Sequence, residues 1–192
     1  MDKKDNEQRI SGRENKVIER LVISGFGGQG IMSLGKFIAL CAMRENKFVT
    51  FIPAYGAEVR GGTSHCAIII SDKAIASAQC EEIDTLIAMN EPSAIKFTPR
   101  LKKGAHLFVN ASMAGKPRRL KGLHLHHIRF TDIASRLGNA KVANMVALGA
   151  YIARKKILSV RNIIKILPEI FKQNTLLIHL NEQALQEGLK TK

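Results

Sequence analysis

The chain has 192 residues, enough for one domain with a substantial core, and 45% of them are apolar with few aromatics, the balance of a globular protein. No stretch reaches the roughly 18 uncharged apolar residues of a membrane helix, and residues 1–16 carry no apolar signal-peptide core, so a cytoplasmic protein without a membrane span is expected. The net charge of +14 is lopsided: residues 1–99 hold 12 basic and 12 acidic side chains, whereas residues 100–192 hold 18 and 4. Such a cationic half suits an acidic protein neighbour or a polyanionic cofactor. Its basic residues are scattered among few aromatics, so no stacking platform for nucleic acid is evident and no nucleic-acid partner is expected. Cys41, Cys66 and Cys80 are odd in number and far apart, which argues against a disulfide framework or a self-contained zinc or iron–sulfur site.

Residues 1–16 read as a flexible or disordered lead, and residues 17–192 as a single α/β domain. Leu21 to Ser24 reads as a buried strand, and Ile31, Leu34, Phe37, Ile38 and Cys41 recur at helical spacing. Between them lies Gly25-Phe26-Gly27-Gly28-Gln29-Gly30, a turn whose glycines supply positive φ and close backbone approach. The first N–H groups of the following helix have no partner inside it, so this turn is a candidate anion site; the alternative is that its glycines only let strand and helix pack closely. Gly25, Gly27 and Gly30 also match G-x-G-x-x-G, but the second strand, Lys47 to Ile52, runs into Pro53-Ala54-Tyr55 with no ribose-reading carboxylate, and no Walker lysine follows Gly30.

Ala54 to Ser64 reads as a loop, His65 to Ser71 as a third strand and Ile75 to Ala78 as a short strand beyond a turn. Thr85 to Met89 is an apolar run closed by Asn90-Glu91-Pro92, followed by a short helix over Ser93 to Leu101 and strands at His106 to Asn110 and Leu123 to Phe130. Helices are expected over Thr131 to Leu137, Lys141 to Arg154, Ser159 to Ile170 and Leu177 to Leu189, with caps at Thr131, Ser159 and Gly188. This alternation predicts a mostly parallel open sheet with helices on both faces and a Rossmann-like start. Ligand sites in such sheets lie beyond the carboxyl ends of the strands, where Gly25 to Gly30 and Tyr55 to Thr63 would meet if their strands run parallel. His124 and His126 would share a strand face with His127 turned away, which converges only two ligands, so no metal is expected. His65 reads as a strand-end residue rather than a base, and Ser24, Ser33 and Ser64 lack a nucleophile elbow.

The second loop, Tyr55-Gly56-Ala57-Glu58-Val59-Arg60-Gly61-Gly62-Thr63, about 25 residues after Gly27-Gly28-Gln29-Gly30, completes a paired pattern. The ordered set resembles the gamma subunit of 2-oxoacid:ferredoxin oxidoreductases, the pyruvate, 2-oxoglutarate and ketoisovalerate family. Val142 to Ala150 is similar to its Asn-containing helix and Asn181 to Gly188 to its C-terminal motif, so the resemblance spans roughly residues 20–188. Ala57 departs from it, since many members carry proline there and proline would fix φ.

The resemblance implies a subunit without autonomous activity, in a complex that oxidatively decarboxylates a 2-oxoacid, foremost 2-oxoglutarate, to the acyl-CoA. Thiamine diphosphate, coenzyme A and iron–sulfur clusters belong to that assembled complex. The implied partners are thiamine-binding and iron–sulfur subunits and, through the complex, ferredoxin or a similar acceptor, with no cofactor bound by this chain alone. Gly25, Gly27, Gly28, Gln29, Gly30, Tyr55, Glu58, Arg60, Gly61, Gly62 and Thr63 are the candidate cofactor-contacting residues, with no catalytic residue and no metal ligand among them. Arg60 has the geometry for a bidentate phosphate or carboxylate contact, against a loop-shaping or intersubunit pair with Glu58. A stand-alone dinucleotide-binding oxidoreductase and a basic adaptor are the alternatives.

Overall fold

A computed structural model describes residues 18–54, 63–115, 117 and 120–191. The predicted lead and residues 55–62 of the second loop, with Tyr55, Glu58, Arg60, Gly61 and Gly62, lie outside the described residues.

Strand β1 (Ile18–Gly25) sits in the middle of a six-stranded sheet because its apolar residues are buried on both sides: Leu21, Val22 and Ile23 are all solvent-shielded. The other strands are β2 (Phe48–Ala54), β3 (Ser64–Ser71), β4 (Ile83–Ala88), β5 (Leu101–Asn110) and β6 (His124–Ile128), in the order β2-β3-β1-β4-β5-β6. β1, β4, β5 and β6 pair in parallel, and β3 alone runs against its neighbours β1 and β2. The expected mostly parallel sheet is therefore present, with one reversed strand inserted. Because β2 and β1 fill both sides of β3, the chain leaving Ser71 meets no free edge beside it, and the strand expected at Ile75 to Ala78 does not form.

Helices cover the two faces unequally. One face carries α1 (Ile31–Arg44), α4 (Ala143–Lys155), α5 (Val160–Ile170) and α6 (Thr175–Lys190), whose apolar stripes close on Leu21, Ile23, Cys66, Ile68 and Ile70. The other face has the seven-residue α2 (Glu91–Phe97), whose Ala94 and Phe97 pack on Val22, Leu86, Leu107 and Val109. α3 (Phe130–Arg136) follows β6 directly. Burial pushes the Cys41 and Cys66 thiols up to about 12, so both stay protonated core side chains. Glu19, only 2% exposed, accepts from the Tyr151 hydroxyl at 3.4 Å and pairs with Lys155 at 3.1 Å, which fixes α4 to β1 through a compensated buried charge.

Of the expected caps, Ser159 does stand at the N-cap of α5, while those at Thr131 and Gly188 are corrected. Thr131 lies inside the first turn of α3 after Arg129, and the Ser159 hydroxyl makes no cap bond; Glu45 instead accepts from Ser159 N–H at 2.7 Å and from Asn162 Nδ2 at 3.0 Å. Asparagines cap α2 and α6: Asn90 Oδ1 accepts from Ser93 N–H and Asn174 Oδ1 from Leu177 N–H. Gly188 is within α6, facing Gly149 of α4, and a Cβ on either glycine would collide with backbone of the opposite helix.

That contact makes a direct test. Gly188→Ala should lower stability by about 3 kcal/mol, because the clash is with backbone that cannot rotate away. Urea unfolding measures it, and a midpoint equal to that of the parent chain would show that the helices separate freely.

Candidate functional site

The glycine turn leaves β1 at Gly25 and enters α1 at Gly30, with Gly28 at φ 87° and Gly30 at φ 72°. Gln29 folds back over the turn. Its Oε1 accepts from Phe26 N–H at 2.7 Å and from Asn90 Nδ2 at 3.2 Å, while its Nε2 donates to Met89 O at 3.2 Å. One amide thus ties the turn to the carboxyl end of β4 and to the cap of α2. Asn110 at the end of β5 continues the arrangement, donating through Nδ2 to Met89 O at 3.2 Å and to Thr131 Oγ1 at 2.8 Å. Asn90 and Asn110 were not singled out from sequence, although Asn-Glu-Pro is a recognisable helix start.

The glycines divide by role. A side chain at Gly25 would crowd Gln29, Ile31 and Met89, and one at Gly30 would strike Asn144, so these two serve close packing. Gly27 and Gly28 are exposed with open space where a side chain would stand. The first turn of α1 carries no acidic residue and no side-chain cap, so its N–H groups are available to an anionic or strongly polar group.

Gly28 and Gly30 border an open cleft of about 440 Å3 between α1 and the α4 to α6 layer, where Ser33, Asn139, Lys141, Asn144 and Asn181 are the polar lining. Asn144 Nδ2 donates to Gly30 O at 3.4 Å, and its Oδ1 accepts from Met145 N–H at 2.9 Å. Asn181, 5% exposed, donates to Leu177 O at 2.7 Å. Two of the singled-out segments, Val142 to Ala150 and Asn181 to Gly188, therefore meet the glycine turn in space.

The stems of the second loop are held at the same edge. Gly25 pairs with Ser64 and Ala54 with His65, while Ser24 Oγ donates to Ser64 O at 3.2 Å and lies in hydrogen-bond contact with Ser93 Oγ at 2.9 Å. Thr63 Oγ1 accepts from Lys96 Nζ at 3.4 Å, a cation that sequence reasoning missed. Beside it, burial first and then Lys96 and Arg100 lower the His65 pKa, which keeps the ring neutral. The site as described offers backbone N–H groups, carboxamides and lysines, a donor-rich surface suited to phosphate or carboxylate. Among the described residues no group of three His, Cys, Asp or Glu is placed to hold a metal ion, and no helix is long and apolar enough to cross a membrane. The dinucleotide alternative loses its geometry: β3 separates β2 from β1, so the end of β2 is not beside the glycine turn's own strand as that fingerprint requires.

A family model described as pyruvate ferredoxin/flavodoxin oxidoreductase matches residues 20–191. The chain belongs to that family. It is similar to the ketoisovalerate oxidoreductase subunit VorA of Methanothermobacter thermautotrophicus, 36% identical over 137 residues that are 70% of this chain and 28% of the relative. The chain thus spans little over a quarter of that relative's length. It is also similar to the 2-oxoglutarate synthase subunit KorC of Archaeoglobus fulgidus, 32% identical over 132 residues, 68% of this chain and 67% of the relative. A solved structure, the keto/oxoacid ferredoxin oxidoreductase gamma subunit from Geobacter sulfurreducens, has a TM-score of 0.77 at 28% identity and covers 90% of this chain and 96% of its own. The expected gamma-subunit resemblance and α/β fold are borne out by these matches, which place the chain in an oxidoreductase family.

The histidines at the far edge differ from expectation in their company. His106 of β5 joins His124 and His126, with His106 Nδ1 and His126 Nε2 3.0 Å apart and the His126 ring stacked on Phe108. Burial, followed for His106 by Lys155 and for His126 by Arg154, pushes both pKa values down to about 4.

Two outcomes follow from these contacts. Gln29→Ala removes three hydrogen bonds and should cost about 2 kcal/mol, since two of their backbone partners lose a donor or acceptor in a partly buried turn; an unshifted urea midpoint would show that the turn holds without it. Because His106 and His126 titrate near 4 when folded and near 6.5 when free, their contribution is present above pH 6.5 and is lost as pH falls towards 4. The denaturation midpoint should decline across that window, less steeply in His126→Gln; equal slopes for both proteins would remove the histidine pair from the account.

Proposed function

We propose that the chain is the gamma component of a multisubunit 2-oxoacid:acceptor oxidoreductase of the cytoplasm, with 2-oxoglutarate as the substrate oxidised to its acyl-CoA. One observation carries this reading: the donor-rich glycine turn and both stems of the Tyr55 to Thr63 loop lie side by side at the carboxyl edge of one sheet. The choice of 2-oxoglutarate is supported by the likeness to a 2-oxoglutarate synthase subunit whose length this chain matches more nearly than that of the ketoisovalerate relative.

In this reading Gly27, Gly28 and the first N–H groups of α1, with Tyr55, Glu58, Arg60, Gly61, Gly62 and Thr63, contribute to the active-site region completed by partner subunits. Thiamine diphosphate, coenzyme A and iron–sulfur clusters, held in the assembly, supply acyl-carbanion stabilisation, acyl acceptance and electron transfer. The residues present fit an anionic portion of substrate or cofactor, because unpaired N–H groups and Lys141 converge with no acidic lining among the described residues. Their work is to bind and orient. Gln29 holds the turn in place, Gly25 lets it close on Ile31 and Met89, and Gly30 lets it close on Asn144 of α4.

The test is native purification through a tag on this chain, identification of co-eluting subunits by mass spectrometry, and viologen reduction with coenzyme A and a panel of 2-oxoacids. The complex should reduce viologen fastest with 2-oxoglutarate, and the isolated chain should be inactive. Oxidation of a 2-oxoacid by the chain alone would overturn the subunit reading, and preference for 2-oxoisovalerate or pyruvate would overturn the substrate assignment.

A further inference from the structure

β6 is the end strand of the sheet, and its outer side is unpaired among the described residues. Gly104 N–H donates to Gly122 O at 2.6 Å and Ala111 N–H to Ile128 O at 2.8 Å, so the even-numbered residues along this strand direct their backbone groups to β5. Strand alternation then turns the N–H and C=O of Leu125 and His127 outward. A bare row of this kind is a template for another strand.

The surroundings narrow what that strand is. Leu125 packs with the smaller core cluster, and the His127 ring lies 3.3 Å from Ala114 O, so the odd-numbered side chains face the α2 side. There an open groove of about 420 Å3 runs between α2 and the β5 to β6 connection, with Ala94, Ile95, Pro99, Ala114, Pro117 and Leu120 as its apolar lining and Glu91 and Thr98 as its polar lining, so it takes an apolar side chain rather than a carboxylate. Ile95 is 70% exposed, and a sheet of parallel strands ordinarily has both faces covered. At the amino end of β6, Lys121 stands in sequence beside Gly122, and Lys103 lies against Gly122 in space; neither lysine forms an ion pair with a described carboxylate. These two cations call for carboxylates at the same end of whatever strand pairs here.

We propose that β6 receives an extended acidic segment of a companion subunit. The segment pairs with the backbone of Leu125 and His127, sets an apolar side chain against Ile95 and Leu120, and places carboxylates opposite Lys103 and Lys121. This assignment rests on the subunit reading given above.

Hydrogen exchange tests it in the natively purified complex and in the isolated chain. Amides of the 123–129 peptide should exchange at least about tenfold more slowly in the complex, while those of β1, already central in the sheet, serve as the reference. Lys103→Glu combined with Lys121→Glu should weaken assembly by about tenfold at low salt and leave the thermal midpoint of the isolated chain unchanged. A complex that forms with the 123–129 amides as fast as in the isolated chain overturns the docking site and leaves the subunit reading standing. A chain that assembles with nothing overturns both, and a homodimer protected at β6 overturns the choice of occupant.

Discussion

The Gln29 carboxamide is the contact on which the carboxyl edge of the sheet depends. A strand that turns at once into a helix leaves backbone groups of the turn without partners, and this side chain supplies them from within three residues while also reaching β4 and the cap of α2. The turn is therefore not a free glycine loop. It is a rigid rim whose two outermost residues, Gly27 and Gly28, are left bare while Gly25 and Gly30 are committed to packing. Pre-organisation of this kind lets backbone N–H groups contact a ligand without first losing conformational freedom.

The helical layer gives the rim its depth. Gly149 and Gly188 bring α4 and α6 close enough for backbone contact, and the start of α4 is in turn held near Gly30 through Asn144. A cleft with a donor-rich mouth and an apolar interior results from helix spacing set on the other side of the layer. The opposite face, with only α2 across it, has no comparable depth and shows more of its apolar surface, Ile95 above all.

Elements determined by neighbours in sequence were legible. The strand, glycine turn and helix from Leu21 onward follow from periodicity and from residues whose conformational demands are local, the strands expected at His65 and His106 are present, and the apolar run from Thr85 lies largely in β4. Direction and partnership were not. HCAIIIS reads the same whichever way it runs, so nothing local announces that β3 opposes β1. Ile75 to Ala78 has strand composition, but the strand it follows, β3, is already paired on both sides. Gly188 resembles a helix stop because a glycine near a helix end ordinarily is one; its actual reason is Gly149, a residue on another helix. His106 joined the other histidines through strand pairing, which spacing within one segment cannot express. Of the candidate site, the glycine turn and Thr63 stand at the expected edge, whereas the motif residues Tyr55 to Gly62 are outside the described structure.

The reversal of β3 separates the stability of the sheet from the length of the segment between its first two paired stems. Because β2 and β3 form a hairpin, Ala54 and His65 are ladder partners, and the ends of the segment between them are fixed by sheet hydrogen bonds that the segment itself does not supply. Closing such a loop costs only about 0.6 kcal/mol more for each doubling of its length. A change of length between these stems therefore costs the sheet little, because the ladder of β2 and β3 already holds the stems together.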